Sequence, residues 1–248
     1  MSFECVQICK SFDGSVALAS VSLAFPSRGA VGIIGPNGAG KTTLLNVMTG
    51  FLRPDSGRVR FAGVDVTRLA PHKIAAFGIR RTFQDVRLIR EMSVKENMLL
   101  SESGSGRSGG PAGVPCWESG EWAGGGLSVH ERILDLVGLD GLGRARARDL
   151  SYGQQKLLTF ASCLAGNAGV LLLDEPVAGV DPEMRERIVR LLLRLRELGK
   201  TLVFIEHDIE TVRRVADSVV VMDEGRVIAS GAPGEVLDRP DIVETYLA

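Results

Sequence analysis

The stretch VGIIGPNGAGKTTLLNVMTG, Val31 to Gly50, decides the fold. VGII is a short continuous apolar run, as in a strand covered on both faces. It passes directly into GPNGAGKTT, Gly35 to Thr43, which satisfies G-x-x-x-x-G-K-[ST] through Thr42. Glycines at Gly35, Gly38 and Gly40, with Pro36, Asn37 and Ala39 between them, let successive backbone N–H groups turn toward one anion. TTLLNVMTG has helical spacing, so a helix dipole adds to that field. Lys41 is placed to reach the β- and γ-phosphates, the Thr42 hydroxyl to ligand Mg²⁺, and Thr43 to close the cradle. Strand before and helix after make this a phosphate-binding loop for a nucleoside triphosphate.

The chain has 248 residues, enough for one large domain with a well-buried core. Hydrophobic residues make up 45% and charged residues 24%, the balance of a globular protein. A formal charge of -1 gives no basic surface for nucleic acid. No apolar run approaches the roughly 18–20 residues that span a bilayer, and MSFECVQICKSF lacks the build of a secretory signal. A cytoplasmic chain is expected. Cys5, Cys9, Cys116 and Cys163 lack metal-ligand spacing, so reduced thiols are expected.

Further continuous apolar runs lie at Val170–Asp174, Thr201–Glu206 and Ser218–Asp223. Between the first two, Met184, Ile188, Leu191, Leu192 and Leu195 recur at helical spacing over Glu183 to Leu198, with Asp181-Pro182 as start and Gly199 as stop. Alternating strands and helices predict an α/β domain with a mostly parallel sheet. Ser2–Arg28 and Gly57–Thr67 suggest shorter antiparallel strands. Ser101 to Gly126 carries nine glycines in 26 residues without periodicity, a flexible insertion in which Trp117 and Trp122 could anchor.

LLLDEPVAGVDP, Leu171 to Pro182, ends an apolar run in adjacent acids, Asp174 and Glu175. LSYGQQK, Leu150 to Lys156, has Ser151 at a helix start, and FIEHD places His207 after a strand end. In this order the motifs resemble the ATP-binding-cassette (ABC) ATPases over nearly the whole chain. The resemblance implies a P-loop NTPase core with an antiparallel β subdomain and a smaller α-helical subdomain. The expected divisions are 1–83 and 165–235 for the core, 84–164 for the helical part with its glycine-rich segment 101–126, and 236–248 for a C-terminal extension.

The resemblance also implies roles. Phe12 would lie against adenine, and Gln84, in RRTFQDVRL, would contact Mg²⁺ or the attacking water and sense a membrane partner. Asp174 would hold Mg²⁺, Glu175 would act as general base, and His207 would fix the γ-phosphate and the water. Ser151, Gly153 and Gln154 of the signature, with Asp181 of the dimer-contacting loop, would complete the nucleotide site of a second ABC ATPase subunit, identical or different. Two departures stand out: Ser162 replaces an arginine common after the signature helix, and Asn167-Ala168 replaces a proline common before the next strand.

GIRRTFQDVRLIREMSVKENMLL, LSYGQQ, the segment Ile205–Val236 and the ending PDIVETYLA are similar to the ATPases of branched-chain amino acid importers. Such a subunit would sit on the inner face of the cell membrane beneath two permease subunits, indirectly served by a solute-binding protein. Similar motifs occur in ATPases of urea or short-amide importers and of lipopolysaccharide-type exporters. A non-catalytic ABC regulator is the other class, and retention of Glu175 and His207 argues against it. Replacing Lys41 by Ala weakens ATP binding by at least about 10-fold, the size of one charge-assisted contact. Equilibrium titration with a fluorescent ATP analogue checks this, and unchanged affinity would contradict the phosphate-loop reading.

Overall fold

Two sheets meet over a shared core in the computed structural model, which describes residues 2–83, 86–103, 127–166 and 168–244. The first is antiparallel: β1 (Phe3–Phe12) lies between β2 (Ser15–Phe25) and β4 (Ser56–Phe61), with β5 (Val64–Asp65) outside β4. The second has the order β10-β9-β3-β8-β7-β6. Its parallel strands are β6 (Ile79–Arg81), β7 (Val170–Asp174), β8 (Thr201–Ile205), β3 (Gly29–Ile34) and β9 (Ser218–Asp223). Only β10 (Arg226–Gly231), on the edge, runs antiparallel to its neighbour β9.

The unbroken apolar runs have a simple cause. On β7, Val170 and Leu172 pack into the core shared with the antiparallel sheet, where Phe3, Phe25 and Phe61 cluster. Leu171 and Leu173 point the other way, into a core closed by helices. With both faces covered, no position has a solvent side to alternate toward. Among the described residues the α-helices are α1 (Lys41–Met48), α2 (Pro71–Ala76), α3 (Val94–Ser103), α4 (Val129–Val137), α5 (Tyr152–Ala165), α6 (Pro182–Glu197), α7 (Ile209–Val215), α8 (Pro233–Val236) and α9 (Pro240–Ile242). Local chemistry sets several ends. Ser128 and Glu131 form a reciprocal capping box at the start of α4, and Gly138 ends it at φ 72°.

α3 continues through Ser103, so the glycine-rich insertion does not begin at Ser101 as the composition suggests; its first three residues finish a helix. The rest of that segment, with Cys116, Trp117 and Trp122, lies outside the described residues, as do Gln84 and Asn167. Ser162 lies inside α5 rather than after it. At the C-terminal end Val236, Leu237 and Ile242 are buried in the helix-covered core. Among the described residues, no helix is long and apolar enough to cross a membrane. Cys5, Cys9 and Cys163 are free thiols, and burial pushes Cys5 and Cys163 up to about 12.

Candidate functional site

The loop after β3 folds as its glycines require. Gly35 has φ 143°, and a Cβ there would overlap the carbonyl oxygen of Met222. Gly40 has φ 94°, and a Cβ would strike the carbonyl of Ala17 from β2. Backbone thus packs on backbone, and the loop wraps around a pocket of about 180 Å³ walled by residues 37–43, Ala17, Glu175, Ile205 and His207. Lys41 is buried, and its Nζ donates to the carbonyls of Gly35 (2.7 Å) and Pro36 (2.8 Å). Burial lowers its pKa, while the nearby charges of Glu175 and Asp174 act to raise it.

Strand register brings the acids to the same edge. Asp174 ends β7 opposite Ile205 of β8 and is only 5% exposed. Its Oδ2 accepts from Arg81 Nη2 at 2.7 Å, and Arg81 Nη1 reaches Asn46 Oδ1 on α1 at 2.5 Å. Glu175 adopts φ 49°, a left-handed conformation that costs a non-glycine residue about 1–3 kcal/mol and points to constraint by its surroundings. Its Oε1 lies 3.4 Å from His207 Nε2. The Thr42 hydroxyl and the Asp174 carboxylate are hard oxygen donors, a set that suits Mg²⁺. Among the described residues, no cluster of three or more His, Cys, Asp or Glu could hold a metal ion by itself. The donors therefore fit an ion carried in on nucleotide phosphates, the way Mg²⁺ is commonly bound.

The signature and the P-loop are not brought together within the chain. Ser151 is exposed and caps α5: its Oγ accepts from Gln154 N–H at 3.3 Å, while its own N–H donates to Gln154 Oε1 at 2.9 Å. Gly153 is buried, and a Cβ there would collide with Met184 of α6. Asp181 caps α6, accepting from Met184 N–H at 2.9 Å. Neither Ser151, Gly153, Gln154 nor Asp181 walls the pocket. Phe12 is 46% exposed near the tip of the β1–β2 hairpin, with Lys10 Nζ 5.5 Å from its ring centroid. Ala17 of the same hairpin does reach the pocket.

Three residues that sequence reasoning passed over stand behind the site: Arg81, Lys156 and Glu206. Glu206 follows β8 directly and is 3% exposed; its Oε1 accepts from Val177 N–H at 2.8 Å and its Oε2 from His207 N–H at 3.2 Å. The signal was available, since TLVFIE is a second apolar run ending in an acid, like VLLLD.

The ABC transporter family model matches residues 18–178. The chain is 37% identical to the probable branched-chain amino acid transport ATP-binding protein LivG of Archaeoglobus fulgidus, across 97% of this chain and 93% of that protein. It is also 37% identical to the high-affinity branched-chain amino acid transport ATP-binding protein BraF of Pseudomonas aeruginosa, across 95% and 93%. A crystal structure of an ABC transporter's ATP-binding cassette in its ADP conformation matches with TM-score 0.84 and 35% identity, covering 100% of this chain and 99% of that one. A dimeric cassette in a post-hydrolysis state, bound to ADP and Pi, matches with TM-score 0.75 and 25% identity, over 93% and 98%.

Glu206 makes stability depend on pH. Burial pushes its carboxyl from 4.5 up to about 7, against the pull of N–H donors from Val177, His207 and Asp208. The folded state thus holds this proton more tightly than the unfolded chain. The contribution is fully present below about pH 4.5 and is lost as pH rises through about 7. Relative to Glu206→Gln, the wild-type protein loses on the order of 2–3 kcal/mol across that window. Urea midpoints of both proteins between about pH 5 and pH 8 check this, and a constant difference would remove Glu206 from the account.

Proposed function

Because this chain belongs to the ABC transporter family, as one of its ATP-hydrolysing cassettes, we propose that it powers uptake of branched-chain or similar amino acids through separate permease subunits. The observation that carries the substrate assignment is the nearly full-length likeness to relatives named for branched-chain amino acid transport. Placement on the inner face of the membrane follows from the same proposal.

In this reading Lys41 leaves the carbonyls of Gly35 and Pro36 for the β- and γ-phosphates, breaking no ion pair among the described residues to do so. Loop amides from Gly35 to Thr43 cradle the phosphates, and Phe12 packs on the adenine. Mg²⁺, held by Thr42, Asp174 and Gln84, would neutralise phosphate charge. Glu175 accepts the proton of the attacking water, and His207 Nε2, already beside Glu175 Oε1, orients that water against the γ-phosphate. The signature, with Ser151 exposed at the start of α5 beside Gly153 and Gln154, serves the nucleotide of a second cassette, and Asp181 carries the chain to that partner. A site split between chains accounts for a pocket that none of these four residues walls.

The proposed seat of the permease is a groove beside β6, walled by Arg80, Arg81, Phe83, Arg87, Leu100 and Ser162. Among the described residues, Ser162 Oγ and the Nε atoms of Arg80 and Arg81 are buried without hydrogen-bond partners. A docked segment offering carbonyl or carboxylate oxygens would suit the arginines that wall this groove. Arg81 joins this groove to Asp174, giving permease and hydrolytic site a common residue.

Glu175→Gln keeps ATP affinity within about 3-fold while lowering kcat by about 100-fold or more, the usual scale of general-base loss. Single-turnover hydrolysis and nucleotide binding measured side by side check it, and turnover surviving within a few-fold would overturn the base assignment. In the complex assembled with its copurifying membrane subunits and binding protein, leucine, isoleucine or valine stimulates hydrolysis. Stimulation by urea or by lipopolysaccharide alone would replace the amino acid assignment.

A further inference from the structure

Lys156 is the least expected residue near the site. It sits on α5 among the buried apolar residues Leu157, Leu158 and Phe160, and is itself 5% exposed. Lysines are almost never buried this fully unless their charge is answered. Here the answer is a set of peptide carbonyls. Nζ donates to the carbonyl oxygens of Glu175 (3.1 Å), Pro176 (3.4 Å) and Ala178 (2.5 Å), so its three N–H bonds all go to one turn. Burial lowers its pKa, while the carboxylates of Glu206 and Glu175 favour its charged form through space.

That turn begins with the strained Glu175. Its N–H donates to Ile205 of β8 at 3.0 Å, and its carbonyl is held by Lys156, so both peptides flanking the left-handed Cα are tied to neighbouring elements. Two residues on, Val177 N–H is taken by Glu206, whose other oxygen holds the N–H of His207. Lys156, from α5, grips the carbonyls of the turn and Glu206, at the end of β8, grips an N–H. Free of these contacts, the backbone at Glu175 would relax toward ordinary φ, and its side chain would swing away from His207.

We propose that Lys156 is a positioning residue for Glu175: a buried cation on the signature helix that locks the strained backbone of the hydrolytic residue in its own subunit. This rests on the proposed base role of Glu175. It has a consequence for the two-chain site. Ser151 and Gly153, five and three residues before Lys156, face the partner's nucleotide in the proposed pair, whereas Lys156 acts on the base of its own site. Displacement of α5 by one nucleotide is therefore felt by the residue that hydrolyses the other.

Three variants test this: Lys156→Met, Lys156→Arg and Lys156→Met combined with Glu175→Gln. Methionine fills the space without donors, and leaving the three carbonyls unanswered is expected to lower the melting temperature while the protein stays folded at assay temperature. In folded Lys156→Met, ATP affinity is expected to stay within about 2-fold and kcat to fall about 10- to 100-fold. Lys156→Arg, which keeps donors, is expected to recover most of that loss. On the Glu175→Gln background the methionine substitution is expected to add less than about 2-fold, because residues acting through one group are not additive. Turnover of Lys156→Met within 2-fold of wild type overturns the proposal, as does equal loss in the arginine variant. Full loss persisting on the Glu175→Gln background also overturns it, even where Glu175→Gln alone confirms the base. Survival of turnover in Glu175→Gln alone instead overturns the base reading, so the two failures are distinguishable.

Discussion

The site depends on the register of three parallel strands around one residue, Ile205. On one side Ile205 pairs with Ile33 of β3, and on the other with Asp174 of β7. The phosphate loop beginning at Gly35, the acids Asp174 and Glu175, and His207 therefore leave the sheet at one level. A one-residue slip of β8 would carry His207 about 3.3 Å along the strand and turn its side chain to the opposite face. Such a slip is resisted by packing on both faces: Leu202 and Phe204 point into the helix-covered core, Val203 and Ile205 into the core shared with the antiparallel sheet. Apolar burial on two sides thus fixes polar chemistry at the strand ends, where open α/β sheets take their ligands.

Charge at this edge is balanced by geometry rather than by a single pair. Asp174 is answered by Arg81, Lys41 is influenced through space by both Glu175 and Asp174, and Glu206 and Glu175 act likewise on Lys156. Lys41 is the member that moves most easily, because its direct contacts are neutral carbonyls. Arg81 and Lys156 are tied more firmly, one to a carboxylate and one to three carbonyls, and each connects the edge to another part of the molecule. Arg81 leads to the groove beside β6 and Lys156 to the signature helix.

Much of this was legible in the sequence, for identifiable reasons. β7 and β9 match their apolar runs to the residue because strands packed on both faces leave an uninterrupted signal. α6 was visible from the spacing of Met184, Ile188, Leu191, Leu192 and Leu195, and its start from Asp181-Pro182. β6, Ile-Arg-Arg, was not, because a three-residue edge strand whose arginines reach Gly166 O, Asn46 and Asp174 has no apolar period. Gln84 rests on resemblance alone, since it lies outside the described residues. Glu206 was readable at the end of TLVFIE, but Lys156 was hidden by kind: a residue that acts by holding backbone has no motif partner, only peptide groups that every sequence supplies.

The signature end of α5 is already capped by its own side chains, which leaves it little to offer a free nucleotide. Ser151 and Gln154 satisfy each other's neighbouring N–H groups in a reciprocal box, a cap commonly worth about 1 kcal/mol. A phosphate arriving there competes with that cap, and the helix dipole returns only about 0.3–1 kcal/mol to an anion at an exposed end. The net attraction for free nucleotide is therefore close to nothing. In the proposed pair the phosphate is already fixed on the other chain's loop, so its ordering cost is met before it touches the signature. Closure then follows nucleotide occupancy of the P-loop, and the capping box that stabilises an isolated helix also keeps the signature from acting out of turn.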